Sequence, residues 1–122
     1  MLFDLGPRLL TTRDVARAVT FYREVLGLPE SECSEGEVET PNVTLGFWNL
    51  EEDGETFVAN ENGIALRVAD VHEAVEEIRT AGAEIVGIED TGVCHMGFVK
   101  NRDGNVLILH RRYAPKERRG PV

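Results

Sequence analysis

The sequence predicts an α+β fold made of two tandem βαβββ modules. Two pairs of repeated motifs indicate the duplication: Asp14-Val15-x-x-Ala18-Val19 returns as Asp70-Val71-x-x-Ala74-Val75, and Asp53-Gly54 returns as Asp103-Gly104. Each pair is offset by about half of the 122 residues, as expected of a repeated structural unit. A unit of this size holds little core alone. We therefore expect one domain over residues 1–113, with modules at about 7–59 and 63–113.

The first module begins with a short apolar strand at Leu9 to Thr12, followed by a helix. Asp14 is a suitable N-cap, because its carboxylate accepts hydrogen bonds from the first free N–H groups of the helix. Apolar residues then recur at the helical period, at Val15, Ala18, Val19, Tyr22 and Leu26. Gly27 supplies the stop.

The second module repeats this order. A strand at Ile64 to Val68 leads to Asp70, and Glu73 completes a capping-box pattern. The helix carries its apolar residues at Val71, Ala74, Val75 and Ile78, and it stops at Gly82.

Strand-like runs follow each helix, and Asp-Gly pairs mark the turns between them. The runs are Val43 to Trp48 and Thr56 to Ala59 in the first module, and Glu84 to Ile88, Val93 to Lys100 and Val106 to His110 in the second. Alternation along a strand separates its two faces. It predicts one shared concave face carrying Leu9, Thr11, Thr56, Val58, Ala65, Arg67, Val106, Ile108 and His110.

Two ordered signatures resemble a known superfamily. Asp14-Val15-x-x-Ala18-x-x-Phe21-Tyr22-x-x-Val25-Leu26-Gly27-Leu28 is similar to the opening signature of the vicinal oxygen chelate superfamily, which includes glyoxalase I, bleomycin-resistance proteins and extradiol dioxygenases. Phe98 to Asn105 resembles its closing signature, with Asn101-Arg102-Asp103-Gly104 where Asp-Pro-Asp-Gly is usual. The resemblance implies a curved mixed-sheet cup with the helices on its outer face.

In the metal enzymes of that superfamily, His, Gln or Glu side chains in the cup hold a divalent ion. The resemblance carries the four ligand positions to Pro7, Val58, Gly63 and Ile108, and none of these side chains offers an oxygen or nitrogen donor. We therefore predict no metal cofactor. A one-residue register shift would exchange strand faces, but it supplies no imidazole or carboxylate set either.

Whether the chain is an enzyme stays open, although the blank positions speak against glyoxalase or dioxygenase activity. The alternative is a metal-dependent lyase, isomerase or dioxygenase that uses non-standard donors such as His95, His110 and Glu61. A third possibility is a protein-interaction module whose cup is filled by side chains.

The distribution of charged residues argues against nucleic acid as a binding partner. Residues 1–110 hold 21 of the 22 acidic residues but eight of the 13 basic ones, so nucleic acid should be repelled. Glutamates crowd the segment 30–39, which is interpreted either as a solvated edge or as an acidic lip for a cationic ligand. Residues 114–122 form a basic tail.

Metal-free bleomycin-resistance proteins of the superfamily sequester a cationic drug between two subunits. By that resemblance, we expect a homodimer that binds a small organic ligand, cationic or zwitterionic. An inward Arg67 conflicts with a purely cationic ligand, which leaves a zwitterion or a carboxylate-bearing substrate open. The candidate ligand-binding residues are Arg67, His110, Thr11, Thr56, Val58, Ile108 and Trp48.

The expected location is the cytoplasm. Cys33 and Cys94 have no CxxC spacing and suit a reducing compartment. Met1 to Asp4 shows no basic start before an apolar run, so no signal peptide is predicted. Nor does any apolar run approach the length of a membrane span.

Overall fold

The computed structural model describes residues 8–32, 34–59 and 63–115. Pro7, Cys33, Glu61 and the tail from residue 116 onward, all named above, lie outside the described residues. The chain forms two compact units. Unit 1 comprises residues 1–61 and 101–105, and unit 2 comprises residues 62–100 and 106–122.

Unit 1 contains a three-stranded mixed sheet and one α-helix. Its elements are β1 (Arg8–Thr12), α1 (Val15–Glu24), β2 (Glu37–Glu39), β3 (Thr44–Asn49) and a 3-10 turn at Leu50–Asp53. The strand order is β1-β3-β2, with β1 parallel and β2 antiparallel to β3.

Helix α1 starts and ends as its local sequence dictates. The Asp14 carboxylate accepts a hydrogen bond from the Arg17 backbone N–H at 3.0 Å, which satisfies one of the free donors of the first turn. Beyond the helix, Gly27 takes a positive φ of 73°, which glycine adopts without strain. The buried face of α1 includes Tyr22, whose ring lies 4.8 Å from that of Phe47 on β3.

The segment Asn101–Asn105 completes unit 1. The Asn101 side chain accepts hydrogen bonds from the backbone N–H groups of Asp103 and Asn105, both at 3.0 Å, and so shapes the turn. The Asn105 side-chain amide donates to the Thr11 carbonyl at 2.8 Å. This turn is thereby attached to β1.

Unit 2 has a four-stranded mixed sheet and the second helix. Its elements are β4 (Ala65–Arg67), α2 (Val71–Thr80), β5 (Glu84–Asp90), β6 (Cys94–Lys100) and β7 (Val106–Arg112). The order is β4-β7-β6-β5, with β4 parallel to β7 and the other pairs antiparallel.

Helix α2 packs closely on its sheet at Gly97. The Asp70 carboxylate caps the helix by accepting from the Glu73 N–H. A β-carbon added to Gly97 would lie 2.7 Å from Val75 Cγ2 and 3.3 Å from Val71 Cγ1, closer than atoms normally approach. The helix therefore covers the face of β6 to which Gly97 belongs.

The predicted α+β class and the two mixed sheets are confirmed, with two differences. Thr56 to Ala59, predicted as a strand, pairs with no strand among the described residues. Phe57 is buried there, and the Arg13 guanidinium lies 4.7 Å from the centroid of the Phe57 ring. Burial of this one side chain between exposed neighbours gives the alternating pattern of polar and apolar residues. The second difference is β2, which the sequence analysis does not contain.

No helix within the described residues is long and apolar enough to cross a membrane.

Candidate functional site

The sheet of unit 1 has one face that its helix does not cover. Phe47 contacts Tyr22 of α1, so it points toward the helix. Its register partner on β1 and the residues two positions away along β3 point the same way. The intervening residues form the opposite face, which we call the unit 1 open face. It carries Leu9, Thr11, Glu37, Glu39, Thr44, Gly46 and Trp48.

Large apolar groups are exposed on the unit 1 open face. Leu9 is 64% exposed and Trp48 is 41% exposed. Thr11 and Trp48 are directly paired in register between β1 and β3. The Trp48 indole N–H donates to the Asp53 carboxylate, which holds the ring at the end of the strand. Two predicted site residues, Thr11 and Trp48, thus lie side by side.

Acidic side chains border these apolar groups. Above Gly46, the Leu9 and Glu37 side chains approach the position where a β-carbon would lie, at 3.2 and 3.5 Å. Glu39 accepts a 2.7 Å hydrogen bond from the Thr44 hydroxyl. Of the glutamates between residues 30 and 39, Glu37 and Glu39 therefore lie on the open face, whereas Glu30 pairs with Arg23.

Unit 2 also has a face away from its helix. Gly97 and its register partner Leu109 face α2, so the residues on either side of each face the other way. This unit 2 open face carries Ala65, Arg67, Glu84, Gly87, Glu89, Cys94, Met96, Phe98, Lys100, Val106, Ile108, His110 and Arg112. All five unit 2 residues that parity predicted to share a face, Ala65, Arg67, Val106, Ile108 and His110, do share it.

Arg67 and His110 are direct partners between parallel strands β4 and β7. Neighbouring strands lie about 4.8 Å apart, so the two side chains rise next to each other. Arg67 is exposed and His110 is half-buried. The row continues through Met96 to Glu89, three strands and roughly 14 Å from Arg67.

Two other predicted site residues lie apart from these rows. Thr56 and Val58 are exposed, Val58 at 73%, and neither belongs to a strand. The structure therefore does not pair them with the sheet of unit 1. The prediction that strand geometry brings them onto an open face is wrong, because residues 56–59 form no strand although Phe57 is buried.

The positions that the superfamily uses for metal ligands do not fit a metal ion here. Val58 and Ile108 have hydrocarbon side chains, and Pro7 lies outside the described residues. At Gly63, an added β-carbon would lie 1.3 Å from the Val106 carbonyl oxygen, so no side chain has room without backbone movement. Within the described residues no group of three or more His, Cys, Asp or Glu side chains converges as a metal site.

The non-standard donors do not converge either. His95 lies two residues from Gly97 on β6, on the α2 side, and its ring is 5.3 Å from that of His72. His110 lies on the unit 2 open face. The two imidazoles therefore project from opposite sides of one sheet and cannot share an ion, and Glu61 is outside the described residues.

A polar cluster on the helix side of unit 2 escaped the sequence analysis. The Tyr113 hydroxyl donates to the Asp90 carboxylate at 2.7 Å, and the His95 ring packs 4.7 Å from the Tyr113 ring. The hydrogen bond from Tyr113, followed by one from the Gly92 N–H, lowers the pKa of Asp90. The same bond raises the pKa of Tyr113. Only strand pairing brings these residues together, so no local signal marks them.

A family comparison agrees with this architecture. The model of the glyoxalase/bleomycin resistance protein/dioxygenase superfamily matches residues 5–109 of the chain. The chain belongs to this superfamily.

Solved structures of this superfamily have the same fold. A glyoxalase/bleomycin resistance protein/dioxygenase from Nocardioides is 20% identical, with a TM-score of 0.71 over 100% of this chain and 91% of its own. A lactoylglutathione lyase from Agrobacterium tumefaciens is 16% identical, with a TM-score of 0.71 over 88% of this chain and 92% of its own.

A genomically encoded fosfomycin resistance protein from Listeria monocytogenes is 17% identical, with a TM-score of 0.72 over 90% of this chain and 93% of its own. At such identities the likeness establishes the fold and leaves the chemistry to individual side chains. Among curated proteins, no sequence matched significantly.

Proposed function

We propose that this member of the superfamily is a metal-independent binding protein for a small organic molecule, which it holds on an open face of one of its sheets. The observation that supports this most directly is the exposure of Leu9 and Trp48 on the unit 1 open face. Large apolar groups gathered on one surface are typical of places where something binds. At the four positions where the superfamily's metal enzymes carry ligands, this chain has no side-chain oxygen or nitrogen that could bind a metal ion.

We propose that the ligand is cationic or zwitterionic and that its positively charged group binds to the unit 1 open face. Glu37 and Glu39 flank the Trp48 and Leu9 surface, and an indole face attracts cations. Binding would bury apolar area beside carboxylates, which favours an aromatic or aliphatic amine. This is the molecule class with which a screen should begin.

We also propose that the protein works as a homodimer in the cytoplasm. Strand β5 is an edge strand of its sheet among the described residues, and it exposes Val86 at 57% and Ile88 at 39%. An edge with exposed apolar side chains is a common site of pairing. Sedimentation velocity at micromolar concentration should give the mass of two chains, and a single-chain mass would rule out the dimer.

Trp48 is the single tryptophan of the chain, so its fluorescence tests the function directly. Titration with aryl amines, amino acids and aryl carboxylates should change the Trp48 emission and raise Tm, with the same dissociation constant in the presence and absence of EDTA. Leu9→Ala should weaken the binding, whereas Val93→Ala, which removes an exposed apolar side chain in unit 2, serves as the matched control. Binding that disappears with EDTA would contradict the proposal.

A further inference from the structure

The unit 2 open face combines an arginine–histidine pair with an apolar floor. One row across the sheet runs Ala65, Ile108, Phe98 and Gly87, and the adjacent row begins with Arg67 and His110. Ile108 and Phe98 are half-buried, so the floor is accessible without being fully solvated. The pair thus lies beside a row that includes the apolar side chains of Ile108 and Phe98.

Arg67 has no acidic partner among the residues that the structure describes. Among the described residues, no hydrogen bond or ion pair involves its guanidinium, although the chain has 22 acidic residues. Within the described strands of unit 2, the acids on the same face are Glu84 and Glu89, and both are on β5, at the other edge of the sheet. At roughly 14 Å they are beyond a Debye length at physiological salt, so they do not neutralise Arg67.

The floor has room for a ligand body at its β5 end. A β-carbon added to Gly87 would have no heavy atom within 4 Å, so the space directly beside Gly87, the register partner of Phe98, is open. An aromatic ring or short alkyl chain placed there would extend from β5 toward β7. The Phe98 ring offers the surface for stacking.

From this arrangement we infer that the unit 2 open face binds an organic anion, whose carboxylate or phosphonate pairs with Arg67 and His110 while its apolar body lies on Ile108 and Phe98. A guanidinium presents parallel N–H donors that match the two oxygens of such a group. The neighbouring imidazole adds a further donor. The inference rests on the proposed function and adds to it the chemical class recognised by unit 2.

The neighbouring residue Arg111 provides a matched control. It follows His110 on β7 but pairs with His95, so it projects from the α2 side of the same sheet, and it is exposed. Arg67→Leu and Arg111→Leu change the net charge equally. Only the first removes a cation from the proposed anion site.

The experiment uses three probes with the same phenyl body: 3-phenylpropionate, 3-phenylpropionamide and phenethylamine. Titrations of the full chain are followed by calorimetry and by the backbone amide shifts of residues 65–67 and 106–112. The carboxylate should bind more tightly than the amide, and its shifts should concentrate on β4 and β7. Arg67→Leu should weaken the carboxylate about tenfold or more, as expected for loss of a charge-assisted hydrogen bond.

Further variants sharpen the outcome. Arg67→Lys keeps the positive charge but lacks the parallel N–H donors of the guanidinium, so it should lose part of the affinity for the carboxylate. Arg111→Leu should change the dissociation constant less than about twofold. His110→Gln should weaken the carboxylate while leaving the amide unchanged. Circular dichroism melts establish that each variant is folded before its affinity is compared.

Three results would overturn the inference, and they differ in what they leave standing. Equal losses in Arg67→Leu and Arg111→Leu would mean that the carboxylate responds only to overall charge. Preferential binding of the amine or the amide would reject the anion site while retaining the small-molecule function. Absence of binding by all three probes to both open faces would reject the inference and the proposed function together.

Discussion

The Thr12 hydroxyl donates a 2.6 Å hydrogen bond to the carboxylate of Asp103, a residue 91 positions away in the chain. Thr12 is fully buried, and the Asp103 side chain is 1% exposed. The same carboxylate also accepts from the Arg13 backbone N–H at 2.9 Å and from the Arg17 guanidinium at 3.3 Å. One aspartate thus attaches the Asn101–Asn105 turn to the start of α1.

Replacing Asp103 with alanine should lower the free energy of unfolding by about 2–3 kcal/mol, because several hydrogen bonds to a buried carboxylate are lost together. Asp53 is the control, since it holds the equivalent place in the other Asp-Gly motif but is exposed. Asp53→Ala should cost less than about 0.5 kcal/mol. Urea denaturation measures both, and equal losses would refute a special role for Asp103.

Gly63→Ala should destabilise the protein strongly, since its β-carbon would collide with the Val106 carbonyl and force β4 away from β7. Gly87→Ala, in open space on β5, should leave the unfolding free energy within about 0.5 kcal/mol of wild type. Thermal melts of the two variants test this. Equal melting temperatures would show that the backbone near Gly63 yields easily.

Stability should fall above pH 10 because of Tyr22. Burial is the main cause that raises the pKa of this phenol, ahead of the opposing hydrogen bond from Asn101. A raised pKa in the folded state stabilises the protein below the unfolded value near 10, and this contribution is lost as pH rises beyond it. Urea midpoints between pH 8 and 11 should drop less steeply in Tyr22→Phe. An unchanged slope would exclude Tyr22 as the source.

Tyr113→Phe should raise the pKa of Asp90 toward its ordinary value, since the hydroxyl that stabilises the carboxylate disappears. The lowered pKa of Asp90 stabilises the fold above the unfolded value, and the effect is lost as pH falls through the folded value. Carboxyl ¹³C titration by NMR reads Asp90 directly in both proteins. If Asp90 titrated identically in both proteins, the Tyr113 hydrogen bond would be absent in solution.

The helices and most strands could be predicted because their signals are local. Asp14 and Asp70 cap the helices as their sequences indicate. Strand β2 gives no comparable signal, since Glu37-Val38-Glu39 holds one apolar residue between two acids. It forms because Val38 is buried beside Leu45, a contact that only the folded sheet supplies.

The placement of some candidate residues could also be predicted, whereas their role in binding stays a prediction. Alternation along β4 and β7 was enough to put Arg67 and His110 on one face, but the register that makes them direct partners depends on pairing between strands far apart in sequence. Alternation predicted a strand wrongly at Thr56 and Val58. The buried Phe57 between these two exposed residues produces an alternating pattern without strand pairing. The cluster of Asp90, His95 and Tyr113 forms only because β5, β6 and β7 pair with one another.

The close approach of Gly63 to the Val106 carbonyl also limits which residues position 63 can hold. Any side chain at position 63, including a histidine or glutamate able to coordinate a metal ion, would need space that the neighbouring backbone now occupies. A coordinating residue therefore cannot be placed here by one substitution alone, because the backbone near Val106 must also move.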